Sequence, residues 1–187
     1  MTKLSVNINK IATLRNSRGG NVPNLLQVTK DLQRFGAQGI TIHPRPDERH
    51  IKYEDALLLP DVLTTEFNIE GNPIPKFIDL VNRIKPDQVT LVPDVEDVIT
   101  SSAGWNTIKY GEFLTEVISE FKSNGIRTSI FVDPDIKMVD FAKPTGTDRI
   151  EFFTEYYAVN FNHNPEKAIE PYLSAANLAN KLQIGIN

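Results

Sequence analysis

Two of the chain's three histidines, His43 and His50, fall in the stretch GITIHPRPDERHI, residues 39–51, together with Arg45, Asp47 and Arg49. An apolar alternation, Ile40-Thr41-Ile42, runs straight into His43-Pro44-Arg45-Pro46. Histidine titrates near neutrality, so His43 at a strand end is placed to act as a general base. Two other readings compete. A lone histidine is often a hydrogen-bonded structural residue, and His43, His50 and Glu70 could form a two-histidine, one-carboxylate metal site. Arg45 weighs against the metal, because it would set a positive charge beside the cation. A second stretch, RNSRGGNVPN at residues 15–24, brings Arg15 and Arg18 up to Gly19-Gly20. Guanidinium forks and glycine amides suit a phosphate, while a solvated turn has much the same composition. His163, in NFNHNPE, reads as a surface residue, and Trp105, Tyr156 and Tyr157 read as packing.

These residues need a scaffold, and the chain supplies an alternation. β-Rich runs at residues 4–8, 39–42, 65–69, 88–92, 128–132, 149–153 and 183–186 are separated by stretches of helical period. Leu25, Val28, Leu32 and Phe35 make one apolar stripe, Phe77, Leu80, Val81 and Ile84 a second, and Leu114, Val117, Ile118 and Phe121 a third. Asn164-Pro165-Glu166 opens the last helix, with Ala168, Tyr172, Ala175, Ala179 and Leu182 on its inner face. Weaker helical patterns cover 53–59 and 136–142. Strands starting roughly 20–40 residues apart, each followed by a helix, predict an α/β protein with a parallel sheet. No G-x-G-x-x-G turn follows the first strand, so a TIM (β/α)8 barrel is favoured over a doubly wound sheet. Seven strands imply a single barrel domain over 1–187 whose last βα unit lies beyond Asn187. The apolar parts of the strands are expected to fill the barrel.

Composition narrows the function. Net charge is −4, which argues against broad nucleic-acid binding. There are no cysteines, so disulfides and thiolate chemistry are excluded for these residues. MTKLSVNINK has no apolar signal core, and no apolar run reaches the length of a membrane span. A cytoplasmic protein is the expectation.

In a parallel barrel the reactive groups sit at the carboxyl ends of the strands. Those ends carry Asn7 and Asn9, His43 and Arg45, Asn68 and Glu70, Asp94, Asp133, Glu151 and Thr154, and Asn187. Glu66, Asn68 and Glu70 share one face of the third strand and Phe67 and Ile69 the other.

The blocks VNINKIATLRNSRGG, GITIHPRPDERHI, EFNIEG, VTLVPD…ITSSAGW, TSIFVDPD and DRIEFFTEYYA together resemble the pyridoxine 5'-phosphate synthase family, from about Leu4 to Asn187. The resemblance implies an octameric TIM barrel that works without metal or organic cofactor. It implies condensation of 3-amino-2-oxopropyl phosphate with 1-deoxy-D-xylulose 5-phosphate through an imine, giving pyridoxine 5'-phosphate, phosphate and water. By matching motifs, His43 and Glu70 resemble the proton acceptors, and Glu151 the glutamate that stabilises charged intermediates. Asn7 and Arg18 match the amino-ketone phosphate site, and Arg45, His50 and Thr100 the deoxyxylulose phosphate site. Arg18, Arg45 and His50 are expected to offset the charge of two phosphates, and a loop around Thr100 to Gly104, small and pliable, is expected to close over them. Asn9-Lys10 stands where many members have Asp-His, so these two carry over as substrate contacts only. The family's proton-donor histidine and strand-8 phosphate cradle lie past Asn187, so the 187 residues alone are expected to be inactive. The rival functions are a metal-dependent lyase or hydrolase using His43, His50 and Glu70, and a non-catalytic phosphosugar-binding barrel.

Overall fold

Seven short strands alternate with eight α-helices among the described residues of the computed structural model, 2–93 and 103–187. The chain groups into two units, Met1–Val89 and Thr90–Asn187. In the first, β1 (Ser5–Asn7), β2 (Gly39–Ile42) and β3 (Glu66–Gly71) are parallel neighbours. β4 (Gln88–Leu91) follows β3 in strand order and leads into the second unit. There β5 (Arg127–Val132), β6 (Arg149–Phe152) and β7 (Gly185–Ile186) are again parallel neighbours. Strand order follows chain order, which is the βα repeat of a TIM barrel over seven strands.

The helices are α1 (Asn9–Ser17), α2 (Leu25–Arg34), α3 (Tyr53–Leu58), α4 (Pro75–Ile84), α5 (Gly111–Ser123), α6 (Ile136–Ala142), α7 (Glu155–Asn160) and α8 (Pro165–Lys181). Local chemistry sets their starts. The Asn24 side chain accepts from Gln27 N at 2.9 Å to open α2, and Asn164 does the same for Lys167 N to open α8. α1 and α7 were not legible as helices. Neither has a side-chain cap, and α1 buries only Ala12 and Arg15, so no apolar stripe marks it. β7 is shorter than expected because Gln183 turns left-handed at the end of α8, with φ 56°.

The pleat decides which side chains meet. In the first unit the register sets Asn7 against Thr41 and Thr41 against Asn68. That face of the sheet is polar, not apolar as the sequence implied. Ser5 Oγ and Thr41 Oγ1 lie 2.8 Å apart, Asn68 Nδ2 donates to Thr41 Oγ1 at 3.4 Å, and Gln88 Nε2 donates to Asn68 Oδ1 at 3.3 Å. Thr41, Asn68 and Gln88 are buried, and each tolerates burial because it has a partner in this row. Ile40, Ile42, Phe67 and Ile69 take the opposite face and form the core. At the amino ends, paired clamps hold the strands. Asp87 Oδ2 accepts from Phe67 N at 2.8 Å in the first unit, and Asp148 Oδ2 accepts from Thr128 N at 2.9 Å in the second.

Gly104 and Trp105 anchor the segment before α5. Trp105 N donates to Phe131 O at 2.8 Å and its indole Nε1 to Leu91 O at 3.0 Å, so this tryptophan packs as the sequence implied. A Cβ on Gly104 would lie 2.3 Å from Val132 Cα and Asp133 N. Gly104 is therefore a rigid close-packing point and not a pliable hinge, because backbone atoms cannot step aside as a side-chain tip can. We expect Gly104→Ala to destabilise the fold by about 2 kcal/mol or more, as overpacking against fixed neighbours does. Chemical denaturation checks this, with Gly20→Ala, which meets nothing within 4 Å, as the neutral control.

Candidate active site

The first unit builds most of the site around the end of β2. His43 is the residue after the strand, and its N–H donates to Asn9 Oδ1 at 2.8 Å. Asn9 opens α1, and its own N–H donates to Asn7 Oδ1 at 2.9 Å. The start of α1 thus curls over the strand end and fixes the His43 backbone. Asn9, expected as a substrate contact, also accepts from the His43 backbone through its side-chain oxygen. An aspartate can accept the same bond, which gives a physical reason why either residue suits this position. The register pairs Ile42 with Ile69, and continued one step it sets His43 opposite Glu70, half-buried on the same face of β3 as Asn68.

After His43 the chain makes a tight return. Pro44 and Arg45 are buried, with Arg45 only 4% exposed. Glu48 N donates to Arg45 O at 3.0 Å, and Glu48 takes a left-handed φ of 52°. Asp47 accepts from Arg49 N at 3.2 Å and from Arg49 Nε at 2.6 Å. The turn brings the His50 ring edge-on to His43, with centroids 6.0 Å apart.

His50 is not a cation here, contrary to the charge count made from the sequence. Burial, then the nearby His43 and Arg45, lower its pKa to about 4, with Asp47 pulling the other way and Arg49 adding the smallest lowering. Its Nδ1 accepts from Ile51 N at 2.9 Å. That leaves Nε2 as the protonated nitrogen, a neutral donor suited to a phosphate oxygen.

Of the two arginines flagged before Gly19-Gly20, only Arg18 stays exposed, at the end of α1. Arg15 is a structural residue. Its Nη1 and Nη2 pair with Asp55 Oδ1 and Oδ2 at 2.5 and 2.7 Å, and its side chain is 7% exposed. Lys10 is exposed on α1. Thr100, with Asp94, Ser101 and Ser102, lies outside the described residues.

In the second unit Glu151 sits on β6, opposite Phe131 of β5. Burial pushes its pKa up, and a hydrogen bond with Asn187 pulls the other way without cancelling the shift. Asn187 Nδ2 also donates to Ser129 Oγ at 2.9 Å, and Arg149 Nη1 donates to Asn187 Oδ1 at 3.2 Å. Glu151 therefore holds its proton to higher pH than an ordinary glutamate. Among the described residues, no three His, Cys, Asp or Glu side chains are grouped to hold a metal ion, and no helix is long and apolar enough to cross a membrane.

Parallel βα units in series with polar groups at the strand ends define an α/β-barrel enzyme scaffold. Solved structures of mandelate oxidase share this fold at TM-scores of 0.63 and 0.62, with 7% and 9% sequence identity, over 98% of this chain and 65% and 66% of theirs. The chain belongs to the family described as pyridoxal phosphate biosynthesis protein PdxJ, whose pattern it matches over residues 4–187. Relatives named pyridoxine 5'-phosphate synthase are 67% identical in Flavobacterium johnsoniae, 63% in Cytophaga hutchinsonii and 57% in Bacteroides fragilis. Each match covers the whole chain and 79% of the relative.

The lowered His50 pKa gives a signed prediction. Between about 6.5 and about 4 the unfolded chain takes up a proton on His50 that the folded chain refuses. Its contribution to stability is therefore complete above pH 6.5 and is lost as pH falls through that window. Glu151 acts in the opposite sense, favouring the fold at lower pH. We expect His50→Gln to flatten the acid-side loss between pH 6.5 and 4, read from denaturation midpoints at each pH.

Proposed function

We propose that the chain condenses 3-amino-2-oxopropyl phosphate with 1-deoxy-D-xylulose 5-phosphate to form pyridoxine 5'-phosphate, phosphate and water. The observation that carries this reading is His43 fixed at the end of β2, facing Glu70, with buried Arg45 and the neutral donor His50 returned to its side. The family membership reported above supports the same reaction. The amino group of one substrate attacks the ketone of the other, and water leaves to form the imine. Carbon–carbon bond formation, loss of phosphate and loss of further water then close the pyridine ring. Each stage moves protons at carbon, nitrogen or oxygen.

His43 and Glu70 take those protons, and Glu151, inclined to stay protonated, stabilises charge that builds on the intermediates. Asn7 and Arg18 hold the amino-ketone phosphate, with Lys10 as a further contact. Arg45, His50 and Thr100 hold the deoxyxylulose phosphate. Arg45 supplies charge there and His50 a directed neutral hydrogen bond. Asn9 acts through His43. The reaction needs no metal or organic cofactor, since every step is a proton transfer, an addition or an elimination. The enzyme assembles as an octamer and works in the cytoplasm, where its phosphorylated substrates are retained. Light scattering tests the octamer.

Mixing the two substrates with a full-length version, one that carries the proton-donor histidine and strand-8 phosphate cradle, should release inorganic phosphate and yield a product with pyridinol absorbance. No phosphate release from that folded full-length version would sink the reading. His43→Asn and Glu70→Gln should each lower kcat by about 10²–10⁴-fold with the fold intact, the range expected for loss of a positioned proton acceptor. Asn9→Asp should stay within about threefold of the parent. Asn9→Leu, which strands the His43 N–H, should fall well below it.

A further inference from the structure

None of Arg15, Asn16 and Asp55 is among the substrate contacts proposed above, yet together they meet the backbone of the loop that carries His50. Asn16 Nδ2 donates to His50 O at 2.8 Å and to Arg49 O at 3.3 Å. Arg15 Nη2 adds a longer contact to His50 O at 3.4 Å. The Asn16 amide cannot flip, because its Oδ1 accepts from both Arg15 Nε at 3.1 Å and Arg15 Nη2 at 2.9 Å. Arg15 in turn is fixed by the two-pronged pair with Asp55. Asp55 is held from behind, since its Oδ2 also accepts from Lys52 N at 2.8 Å in the first turn of α3. The order of dependence is Asp55, Arg15, Asn16, then the His50 carbonyl. The His50 ring is pinned on the other side by Ile51, whose N–H meets Nδ1 and whose side chain is fully buried.

Charge and burial explain why this chain of bonds is specific. The Arg15 and Asp55 side chains are 7% and 14% exposed. A buried pair of this kind contributes little net stability but costs much when one partner is removed. Its better-attested use is to fix one arrangement among several, and here the arrangement fixed is that of a single carbonyl next to a ligand-facing imidazole. The spacing on α1 reinforces this. Asn9 and Asn16 are seven residues apart, about two helical turns, so they lie on one face of the helix. Asn9 holds the backbone at His43 and Asn16 holds it at His50. One helix face thereby grips both ends of the 43–50 return.

We propose that Asn16, locked by the Arg15–Asp55 pair, is a positioning residue that sets the His50 imidazole for the deoxyxylulose phosphate. The proposal rests on the phosphate-binding role given to His50 above. Its kinetic test is Asn16→Leu, which removes the donor and adds no charge. The KM for 1-deoxy-D-xylulose 5-phosphate should rise about tenfold, the loss expected for one displaced hydrogen-bond donor. The KM for 3-amino-2-oxopropyl phosphate and kcat should stay within about threefold. A rise shared equally by both KM values, or no rise in either, would overturn it.

A second readout needs no turnover. The chain has only His43, His50 and His163, so their imidazole NMR signals can be assigned by substitution. His50 should titrate at about 4 in the parent. In Asn16→Leu and in Asp55→Asn the freed ring gains solvent, and its titration should move up by a unit or more toward the ordinary value. In Asp55→Asn this upward move runs against the simple Coulomb effect, since removing a negative charge should lower a histidine pKa. An unchanged or lowered His50 titration in folded Asn16→Leu would overturn the proposal. If the full-length parent forms no pyridoxine 5'-phosphate, the functional reading fails while the titration still decides the positioning role.

Discussion

A parallel strand turns successive side chains to opposite faces, and that period of two is the constraint on which the rest of the first unit depends. Ile40 and Ile42 must enter the core, so Thr41 and His43 must face the other way. Phe67 and Ile69 do the same on β3, and Asn68 and Glu70 follow. The register then sets the two polar series side by side. A slip of one residue would place His43 in the core and turn an isoleucine toward the reactive face. The hydrophobic core therefore selects the catalytic geometry, although no core residue touches the chemistry.

The polar face creates a second demand. Side chains withdrawn from water must be paired, and the row Ser5, Thr41, Asn68 and Gln88 answers it with hydrogen bonds between neighbouring strands. Just beyond this row the same physics governs charge. Burial first, and then the neighbouring His43 and Arg45, make a charge on His50 costly, so its imidazole stays neutral. In the phosphate site proposed above, the two would then divide the work: arginine supplies charge, and the neutral imidazole supplies direction.

The sequence exposed much of this and hid the rest for identifiable reasons. Strand and helix order was legible because the apolar periods of 2 and 3.6 are local, as in Ile40-Thr41-Ile42 or the Phe77–Ile84 stripe. The position of His43 and Glu70 at the ends of their strands was legible because the alternation runs directly into them. α1 was not, because it carries neither cap nor apolar stripe and is held instead by Arg15. The Arg15–Asp55 pair spans 40 residues, and no local pattern announces a contact of that range. In the first unit the polar row reaches further along the strands than their ends, because threonine and asparagine within short strands can pair with one another across the sheet. His50 was taken as a charge because its neutrality depends on neighbours that only the Glu48 turn brings close.

The two tethers on α1 bear on how the 43–50 return can serve a multistep reaction. The step between His43 and His50 contains two prolines, a left-handed Glu48 and an Asp47–Arg49 pair, all of which restrict the loop internally. Internal restriction alone would still let the whole loop rock as a unit about the end of β2. A tether at one end would only move the pivot. Tethers at both ends, from one helix face, oppose the rocking motion itself, so His43 and His50 keep a common frame. Ordering of that kind is completed during folding and does not have to be repeated at each binding event, which leaves more of the binding interaction for the substrate. With His50 in the role proposed for it, a reaction with several proton transfers on one bound intermediate gains from this in the steps before the deoxyxylulose phosphate leaves, because the held phosphate would return the intermediate to the same distance from His43.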